Sequence, residues 1–305
     1  MLRISRRRVG AFARAIGAKN PAYYDPYDAG YLGFRDVIAP PLFAYALTQA
    51  NVEDIFTDLG FEGIFRPLPI GQPVPKSAVQ PRKSGGKQEL RAWPEAEPRR
   101  AASGTAANGT AHNETLALLH SLHLTAQQPI IAGSSLDVET TAQHRKSGPW
   151  TVITCESELK DGSETVAELK AVYGLGKATV PQTPENAPNE KEHEGAALEI
   201  EITQDEIAKF CAASGDYNPI HLDKAAAQQF GFPNVIAPGL LLLGKAMSQL
   251  ELELEQPKTI VARLLNPIVV PETGAKITAT VTTSKKTDLT FTQSNKRVAR
   301  ATLSQ

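Results

Sequence analysis

The residues best suited to chemistry lie in one short run, Ser214-Gly215-Asp216-Tyr217-Asn218-Pro219-Ile220-His221. Asp216 precedes His221 by five positions, and the Asn-Pro pair between them is typical of a turn. An aspartate and a histidine held side by side supply a base and an acid to one water molecule near neutral pH. The run therefore predicts an acid–base centre.

The same run occurs earlier in the chain without the two reactive groups. Residues 2–44 align without a gap with residues 200–242, an offset of 198 positions. The first copy keeps Asn20-Pro21, but it has Ala18 in place of Asp216 and Tyr23 in place of His221. Since the scaffold is retained and the reactive positions differ, the contrast favours catalysis over a capping aspartate and a buried core histidine. Asn218 recurs as Asn20, so a structural role is at least as strong for it as a catalytic one.

Each copy predicts the same order of elements. A short strand leads to a helix capped by Ser5 or Thr203, and a second short helix is capped by Asp25 or Asp223. A helix apolar nearly all round follows, which is 240–247 in copy two and must be buried on most sides. Alternating strands come next, at 136–141, 150–155 and 164–169 in copy one and 258–263, 276–281 and 289–292 in copy two. The fold class is α+β, with a long buried helix wrapped by an antiparallel sheet, present twice.

The domain boundaries follow from a change in the repeat offset. Pro129-Ile130-Ile131 matches Pro267-Ile268-Val269 at an offset of only 138 positions, so copy one carries about 60 extra residues. We place them at about 66–112, a surface insertion rich in Pro, Gly and Ala and largely disordered. The predicted organisation is an N-terminal domain over 1–176, a linker over 177–196 and a catalytic domain over 197–305.

The composition excludes several classes of partner. A net charge of −1 lacks the basic excess of nucleic-acid-binding proteins. The longest apolar run, near 239–244, is far below the ~18 residues of a membrane helix. Cys155 and Cys211 lie in apolar segments and are expected to be reduced, which suits a cytoplasmic protein. We therefore expect a cytoplasmic protein that binds neither nucleic acid nor membrane.

The second copy resembles a known family through its fixed spacings. The segment 210–239 carries Gly-Asp-x-Asn-Pro-Ile-His, then Gly-Phe, then Ile-Ala-Pro-Gly. It resembles the MaoC-like (R)-specific enoyl-thioester hydratases and 3-hydroxyacyl-thioester dehydratases, and copy one resembles the degenerate half of their two-domain members. The resemblance implies a double hotdog fold and dehydration of (R)-3-hydroxyacyl thioesters to trans-2-enoyl thioesters, or the reverse hydration, in fatty-acid metabolism. The implied substrate is an acyl-CoA or acyl-carrier-protein thioester, with no cofactor or metal, and a homodimer or a heteromeric partner subunit is compatible with it.

The resemblance also implies roles for individual residues. Asp216 and His221 would be the catalytic pair, and Asn218 would orient them or the water. Gly239 would offer its backbone N–H to the thioester oxygen, and the matching Pro41 of copy one has no N–H to offer. The chain departs from the family at Pro238, where many relatives have histidine, and in its large insertion.

Other interpretations of the same residues stay open at this level. Asp216 could direct water at a thioester carbonyl, as in a hotdog thioesterase, or the chain could be a non-catalytic acyl-thioester-binding or partner subunit. A metal site from Asp216, His221 and Asp223 is disfavoured, because Asp223 recurs as Asp25 where the other two are missing.

The remaining candidate side chains have plainer interpretations. His120 and His123 are three apart in a predicted strand, so they should point to opposite faces and share no metal. Lys224 and Lys245 could meet an anionic carrier, but solvated surface lysines are the simpler expectation.

Overall fold

A computed structural model describes residues 1–61, 64, 115–176, 195–251 and 258–304. The predicted insertion at 66–112 lies outside the described residues. So does the predicted linker, apart from residues 195 and 196. The boundaries proposed for the two domains therefore stay predictions.

The two halves repeat one order of elements. The N-terminal half contains β1 (Leu2–Arg3), α1 (Arg6–Ala15), a short 3₁₀ helix (Pro21–Tyr23), α2 (Pro26–Tyr31), α3 (Phe43–Asp58), β2 (Leu116–Ala126), β3 (Ser135–Ser147), β4 (Trp150–Asp161) and β5 (Glu164–Gly176). The C-terminal half contains β6 (Ala196–Ile202), α4 (Gln204–Ser214), α5 (Pro219–Leu222), α6 (Lys224–Gln229), β7 (Ile236–Ala237), α7 (Gly239–Gln249), β8 (Lys258–Leu264), β9 (Ile268–Val269), β10 (Ala275–Thr283), β11 (Thr287–Gln293) and β12 (Lys296–Ser304).

One antiparallel sheet of ten strands runs through both halves in the order β1-β3-β4-β5-β2-β8-β12-β11-β10-β6. Each half of the sheet covers one largely buried helix, α3 on the N-terminal side and α7 on the C-terminal side. α7 is apolar nearly all round because it is buried on most sides, and Leu240–Leu243 all lie in the core. The α+β double hotdog predicted from the sequence is confirmed.

An approximate two-fold axis relates the halves at the centre of this sheet. β2 pairs with β8, and His123 lies directly opposite Val261, the residue 138 positions later. The helices meet in the same way, because Phe12 of α1 contacts Phe210 of α4 with ring centroids 5.7 Å apart, and these residues are also equivalent in the repeat. The halves therefore share both a continuous sheet and a core.

The predicted helix starts are confirmed by their hydrogen bonds. The Ser5 side chain accepts from the Arg8 backbone N–H, and Thr203 forms a capping box with Glu206. Asp25 and Asp223 accept from the backbone N–H groups two residues on, at 2.7 and 2.8 Å. These caps fix where each half turns from one helix to the next.

Two expectations from composition can be compared with the structure. Cys155 and Cys211 are both free and buried, which confirms that they form no disulfide with each other. Among the described helices, none is long and apolar enough to cross a membrane.

Candidate active site

Asp216 lies in the sharp turn that follows the end of α4. Gly215 caps the helix with φ +82°, a left-handed conformation that costs little only for glycine. The backbone N–H of Asp216 then donates to the Ser214 hydroxyl at 3.3 Å, and Asn218 starts α5 as its N-cap. His221 lies on α5, which is a single helical turn. In the chain, Asp216 therefore comes before the Asn218-Pro219 pair and His221 comes after it.

The structure brings Asp216 and His221 together inside the protein. Asp216 Oδ2 lies 3.7 Å from His221 Nε2, and only 7 % and 9 % of the two residues are exposed. His221 Nδ1 lies 2.7 Å from the carbonyl oxygen of Ile236, which can only accept, so Nδ1 carries a proton. Nε2 is therefore the ring nitrogen that faces the carboxylate. At 3.7 Å the two atoms are too far apart for a direct hydrogen bond, but one water molecule can bond to both.

Asn218 fastens this loop to the other half of the molecule. Its Nδ2 donates to the carbonyl oxygen of Ala117 on β2 at 2.9 Å, and its Oδ1 accepts from the Ile220 backbone N–H at 3.4 Å. Its own backbone N–H points at Asp216 Oδ1, also at 3.4 Å. The side chain is thus engaged with backbone groups, which supports a positioning role for Asn218.

A small apolar cluster holds the histidine-bearing helix in place. Ile220 of α5 is buried with Phe232 and Ile236 and with Leu116 of β2. Since Ile220 precedes His221, this packing anchors the helical turn that carries the imidazole. The N-terminal half therefore contributes to the position of both reactive groups.

The pair opens into a cavity of about 370 Å³ between the two halves. The C-terminal half supplies Asp216, Asn218, His221 and the start of α7 at Pro238 and Gly239. Gly239 is the first residue of α7, where backbone N–H groups have no intrahelical acceptor and the helix dipole is positive. A Cβ atom at Gly239 would lie 2.4 Å from a methyl carbon of Leu264, so any other residue at this position would have to displace the Leu264 side chain.

The N-terminal half lines the same cavity with residues that the sequence motifs do not reveal. They are Tyr45 of α3, Ala117–His120 of β2, Ser147, Trp150 and Val152 at the β3–β4 turn, and Tyr173 of β5. His120 lies where the β2–β5 register shifts, and its ring covers Gly174. This partial burial lowers the pKa of His120. A bulge of this kind re-aims a side chain, which is why strand alternation does not predict the position of His120.

The equivalent place in the first copy is almost filled. There Ala39, Pro40, Pro41 and Ala44 meet Ala126 and Gln128–Ile130 around a cavity of about 10 Å³. Most of these positions are matched in the large cavity by Ala237, Pro238, Gly239, Leu264 and Asn266–Ile268. Copy one therefore lacks the space as well as the aspartate, the histidine and the N–H donor.

The other candidates lie outside the cavity. Asp223 is taken up as the cap of α6, and among the described residues no three His, Cys, Asp or Glu side chains are grouped to hold a metal. His123 is exposed and lies apart from His120. Lys224 pairs with Glu272 at 2.8 Å, and Lys245 pairs with Glu206. Neither lysine lines the cavity.

Comparisons with known proteins agree with this architecture. Residues 185–302 match the MaoC like domain, and residues 2–70 match the FAS1-like dehydratase domain region. The 3-hydroxyacyl-thioester dehydratase X of Mycobacterium tuberculosis is 24% identical over 172 residues, 55% of this chain and 59% of that protein. Peroxisomal enoyl-CoA hydratase 2 of Arabidopsis thaliana is 29% identical over 140 residues, 43% of this chain and 41% of that protein. The matched region thus spans less than two thirds of either relative.

A solved structure shows the same fold over the whole chain. The crystal structure of HtdX from Mycobacterium tuberculosis superposes with a TM-score of 0.67 at 19% identity, covering 99% of this chain and 97% of that one. The chain therefore has the double hotdog fold of that structure, and its C-terminal part, with the Gly-Asp-x-Asn-Pro-Ile-His run, matches the MaoC like domain.

Proposed function

We propose that this protein interconverts (R)-3-hydroxyacyl thioesters and trans-2-enoyl thioesters by removing or adding water, in fatty-acid metabolism. The observation that carries the proposal is the buried Asp216–His221 pair, 3.7 Å apart, facing a cavity of about 370 Å³. The names of the two relatives, a 3-hydroxyacyl-thioester dehydratase and an enoyl-CoA hydratase, support the same reaction class.

The pair can perform both proton transfers of this reaction. In hydration, a water oxygen forms a bond to C3 and gives up one proton to the pair, while the electrons of the C2–C3 double bond move towards the thioester carbonyl. A proton from the pair then ends on C2, so the product gains the elements of water. Dehydration runs the same steps in reverse. Because Asp216 and His221 face one another, we treat them as a coupled acid–base unit and assign neither proton to one residue.

The start of α7 provides for the charge that develops on the thioester oxygen. The Gly239 N–H lies at a helix N-terminus that lines the cavity, and such a donor stabilises an oxyanion. Loss of one positioned donor typically costs ~100-fold or more in rate. We therefore assign Gly239 to the thioester carbonyl, and the apolar part of the cavity to the acyl chain.

The test is hydration of crotonyl-CoA, followed by the loss of enoyl-thioester absorbance. Asp216→Asn and His221→Ala are each expected to lower kcat/KM by ~10²–10⁴-fold, because each removes one member of the acid–base pair. Two matched controls lie outside the cavity. Asp223→Asn makes the same change at a helix cap where asparagine serves equally well, and His123→Ala removes an exposed histidine.

The outcomes separate this proposal from the alternatives. Equal loss of activity in the control variants, or unchanged activity in Asp216→Asn and His221→Ala, would overturn the site. Release of free CoA thiol without hydration would indicate a thioesterase. The wild type could instead be inactive on crotonyl-CoA and on longer enoyl-CoA substrates but active on the acyl-carrier-protein thioester. This result would identify acyl carrier protein, and not CoA, as the carrier of the acyl group.

A further inference from the structure

The mouth of the cavity can be located from the exposure of the residues that line it. His120 and Ser147 of the N-terminal half are exposed, and so is Leu265 of the C-terminal half, by 43 %. Tyr45 and Tyr173 line the same cavity but are no more than 2 % exposed. The cavity therefore runs inwards from the three exposed residues to the two tyrosines, and a substrate attached to a carrier must leave past His120, Ser147 and Leu265.

Two glycines of β5 shape the N-terminal side of this mouth. Gly174 and Gly176 are two positions apart on the strand, so side chains at both would lie on one face of the sheet. A Cβ atom at Gly174 would lie 2.3 Å from His120 Nε2, and one at Gly176 would lie 2.9 Å from a ring carbon of Trp150. The rings of His120 and Trp150 therefore lie directly on the strand, in space that any larger residue would take from them.

This arrangement departs from regular sheet structure at one place. The β2–β5 register shifts at His120, which leaves this residue without a partner in the ladder. Glycine inside a strand gives up side-chain packing, and it often marks a point where a ligand comes close to the backbone. The bulge and both glycines coincide on the wall of the cavity, where His120 and Trp150 face its interior. Their coincidence indicates a binding surface.

The chemistry of this surface fits an uncharged ligand with amide and apolar groups. Partial burial lowers the pKa of His120, so its ring is neutral near pH 7 and attracts a phosphate less than a charged imidazole would. Within the described part of the chain, neither nitrogen of this ring is hydrogen-bonded to another residue, which leaves it able to bond an amide. Trp150 and Leu265 add apolar surface at the same mouth. Pantetheine, the arm that joins the thiol to CoA and to acyl carrier protein, has amide groups and a branched dimethyl carbon.

We propose that the mouth binds the pantetheine arm of the substrate: His120 bonds the amide farther from the sulfur, and the dimethyl group packs on Trp150 and Leu265. The inference rests on the proposed function, which makes the substrate a carrier-bound thioester. CoA and acyl carrier protein present the same arm, so the contact is common to both carriers. It gives the half without the acid–base pair a direct part in binding the substrate.

The experiment compares crotonyl thioesters that share the reacting atoms and differ in the arm. Crotonyl-N-acetylcysteamine has only the part of the arm next to the sulfur, crotonyl-pantetheine has the whole arm, and crotonyl-CoA adds the nucleotide. His120→Ala should lower the ratio of kcat/KM for crotonyl-pantetheine to that for crotonyl-N-acetylcysteamine about tenfold, mainly through KM, because it removes uniform binding of the arm. Gly174→Ala should act in the same direction, since its methyl group displaces the His120 ring without removing it.

Two matched controls should leave this ratio unchanged. His123→Ala removes an exposed histidine of the same strand that does not line the cavity, and Gly30→Ala adds a Cβ atom that meets nothing within 4 Å. The crotonyl thioester of acyl carrier protein, set against crotonyl-CoA in the wild type, identifies the carrier, and His120→Ala should weaken both.

The other outcomes contradict the inference. An unchanged ratio in His120→Ala would show that the ring does not bind the arm. A loss confined to crotonyl-CoA would place the ring on the nucleotide. An equal loss with every thioester, crotonyl-N-acetylcysteamine included, would place it at the reacting atoms.

A second readout needs no turnover. The chain has two tryptophans, Trp93 and Trp150, so Trp93→Phe leaves Trp150 as the only one. Pantetheine should then change the tryptophan fluorescence saturably, N-acetylcysteamine should not do so at the same concentration, and His120→Ala should raise the Kd for pantetheine about tenfold. This signal without hydration of any thioester would support the inference and remove only the proposed function. Hydration without this signal would overturn the inference and leave the function intact.

Discussion

Two equivalent asparagines show how one residue type serves different ends in the two copies. Asn20 and Asn218 each start a short helix by accepting from the backbone N–H two residues on. Only Asn218 also donates to the other half, through the carbonyl oxygen of Ala117. The Nδ2 of Asn20 is buried and has no hydrogen-bond partner among the described residues. The sequence repeat therefore conceals a difference that only the tertiary contacts reveal.

This difference predicts unequal effects of the same substitution. Asn218→Ala loses a cap and a buried bond, so we expect a loss of ~2–3 kcal/mol of unfolding free energy and at least tenfold lower hydration activity. Asn20→Ala loses only the cap, at ~1 kcal/mol, with activity unchanged. Urea unfolding and crotonyl-CoA hydration on both variants measure this. Equal activity losses would show that Asn218 has no special role in positioning the loop.

The pair Asp216 and His221 could be identified from the sequence because its information is local. Both residues lie in one eight-residue run, and the repeat supplies a built-in comparison with Ala18 and Tyr23. Tyr45 and Tyr173 could not be found in this way. They are more than 40 residues from the motif and from one another in the chain, and they line the same cavity as Asp216 only because the two halves share one core.

At the level of elements, the capping box of α4 connects the two helices on which the site depends. Glu206 accepts from the Thr203 backbone N–H at 2.9 Å and also pairs with Lys245 of α7. α4 leads into Asp216, and α7 begins at Gly239. Burial alone would raise the pKa of Glu206, but its bonds from Lys245 and Thr203 outweigh burial and hold the pKa below its ordinary value.

The lowered pKa predicts a pH-dependent contribution of Glu206 to stability. A carboxyl group whose pKa is lower in the folded state stabilises the fold above its unfolded pKa, which is ~4.3 for glutamate, and loses this effect as the pH falls through the folded value. Glu206→Gln should therefore destabilise the protein by up to ~1 kcal/mol at pH 7, and the difference from wild type should vanish in acid.

Urea unfolding at neutral and acidic pH measures this contribution. The matched control is Asp205→Asn in the same first turn, whose partner Lys209 is exposed and whose loss should matter little. A Glu206→Gln deficit that stays constant from pH 7 into acid would mean that the carboxylate charge is not the source of the stabilisation.

Local signals also determined which elements could be predicted. The caps at Ser5, Thr203, Asp25 and Asp223 and the alternating strands are properties of short segments, and the structure confirms them. The bulge at His120 and the pairing of β2 with β8 depend on partners far away in the chain. The sequence therefore indicated two hotdogs, with part of the acyl-chain pocket supplied by copy one, but it did not indicate which residues of that copy line the cavity.

For the whole molecule, the two halves differ in space as much as in chemistry. The cavity next to Asp216 measures about 370 Å³, whereas its counterpart beside Pro41 measures about 10 Å³. A cavity needs ~10–15 Å³ to hold a single water molecule. The counterpart is therefore too small for a thioester, whatever side chains surround it.

This asymmetry predicts that restoring the missing residues will not create a second active centre. The variant combines Ala18→Asp, Tyr23→His and Pro41→Gly in the Asp216→Asn background, and its hydration activity should stay at the level of Asp216→Asn alone. The same three substitutions in the wild-type background provide the control, since retained activity there shows that the protein folds. Recovered activity in the Asp216→Asn background would show that copy one opens to admit substrate. Only then would the loss of chemical groups, rather than of space, explain why one half became a scaffold for the other.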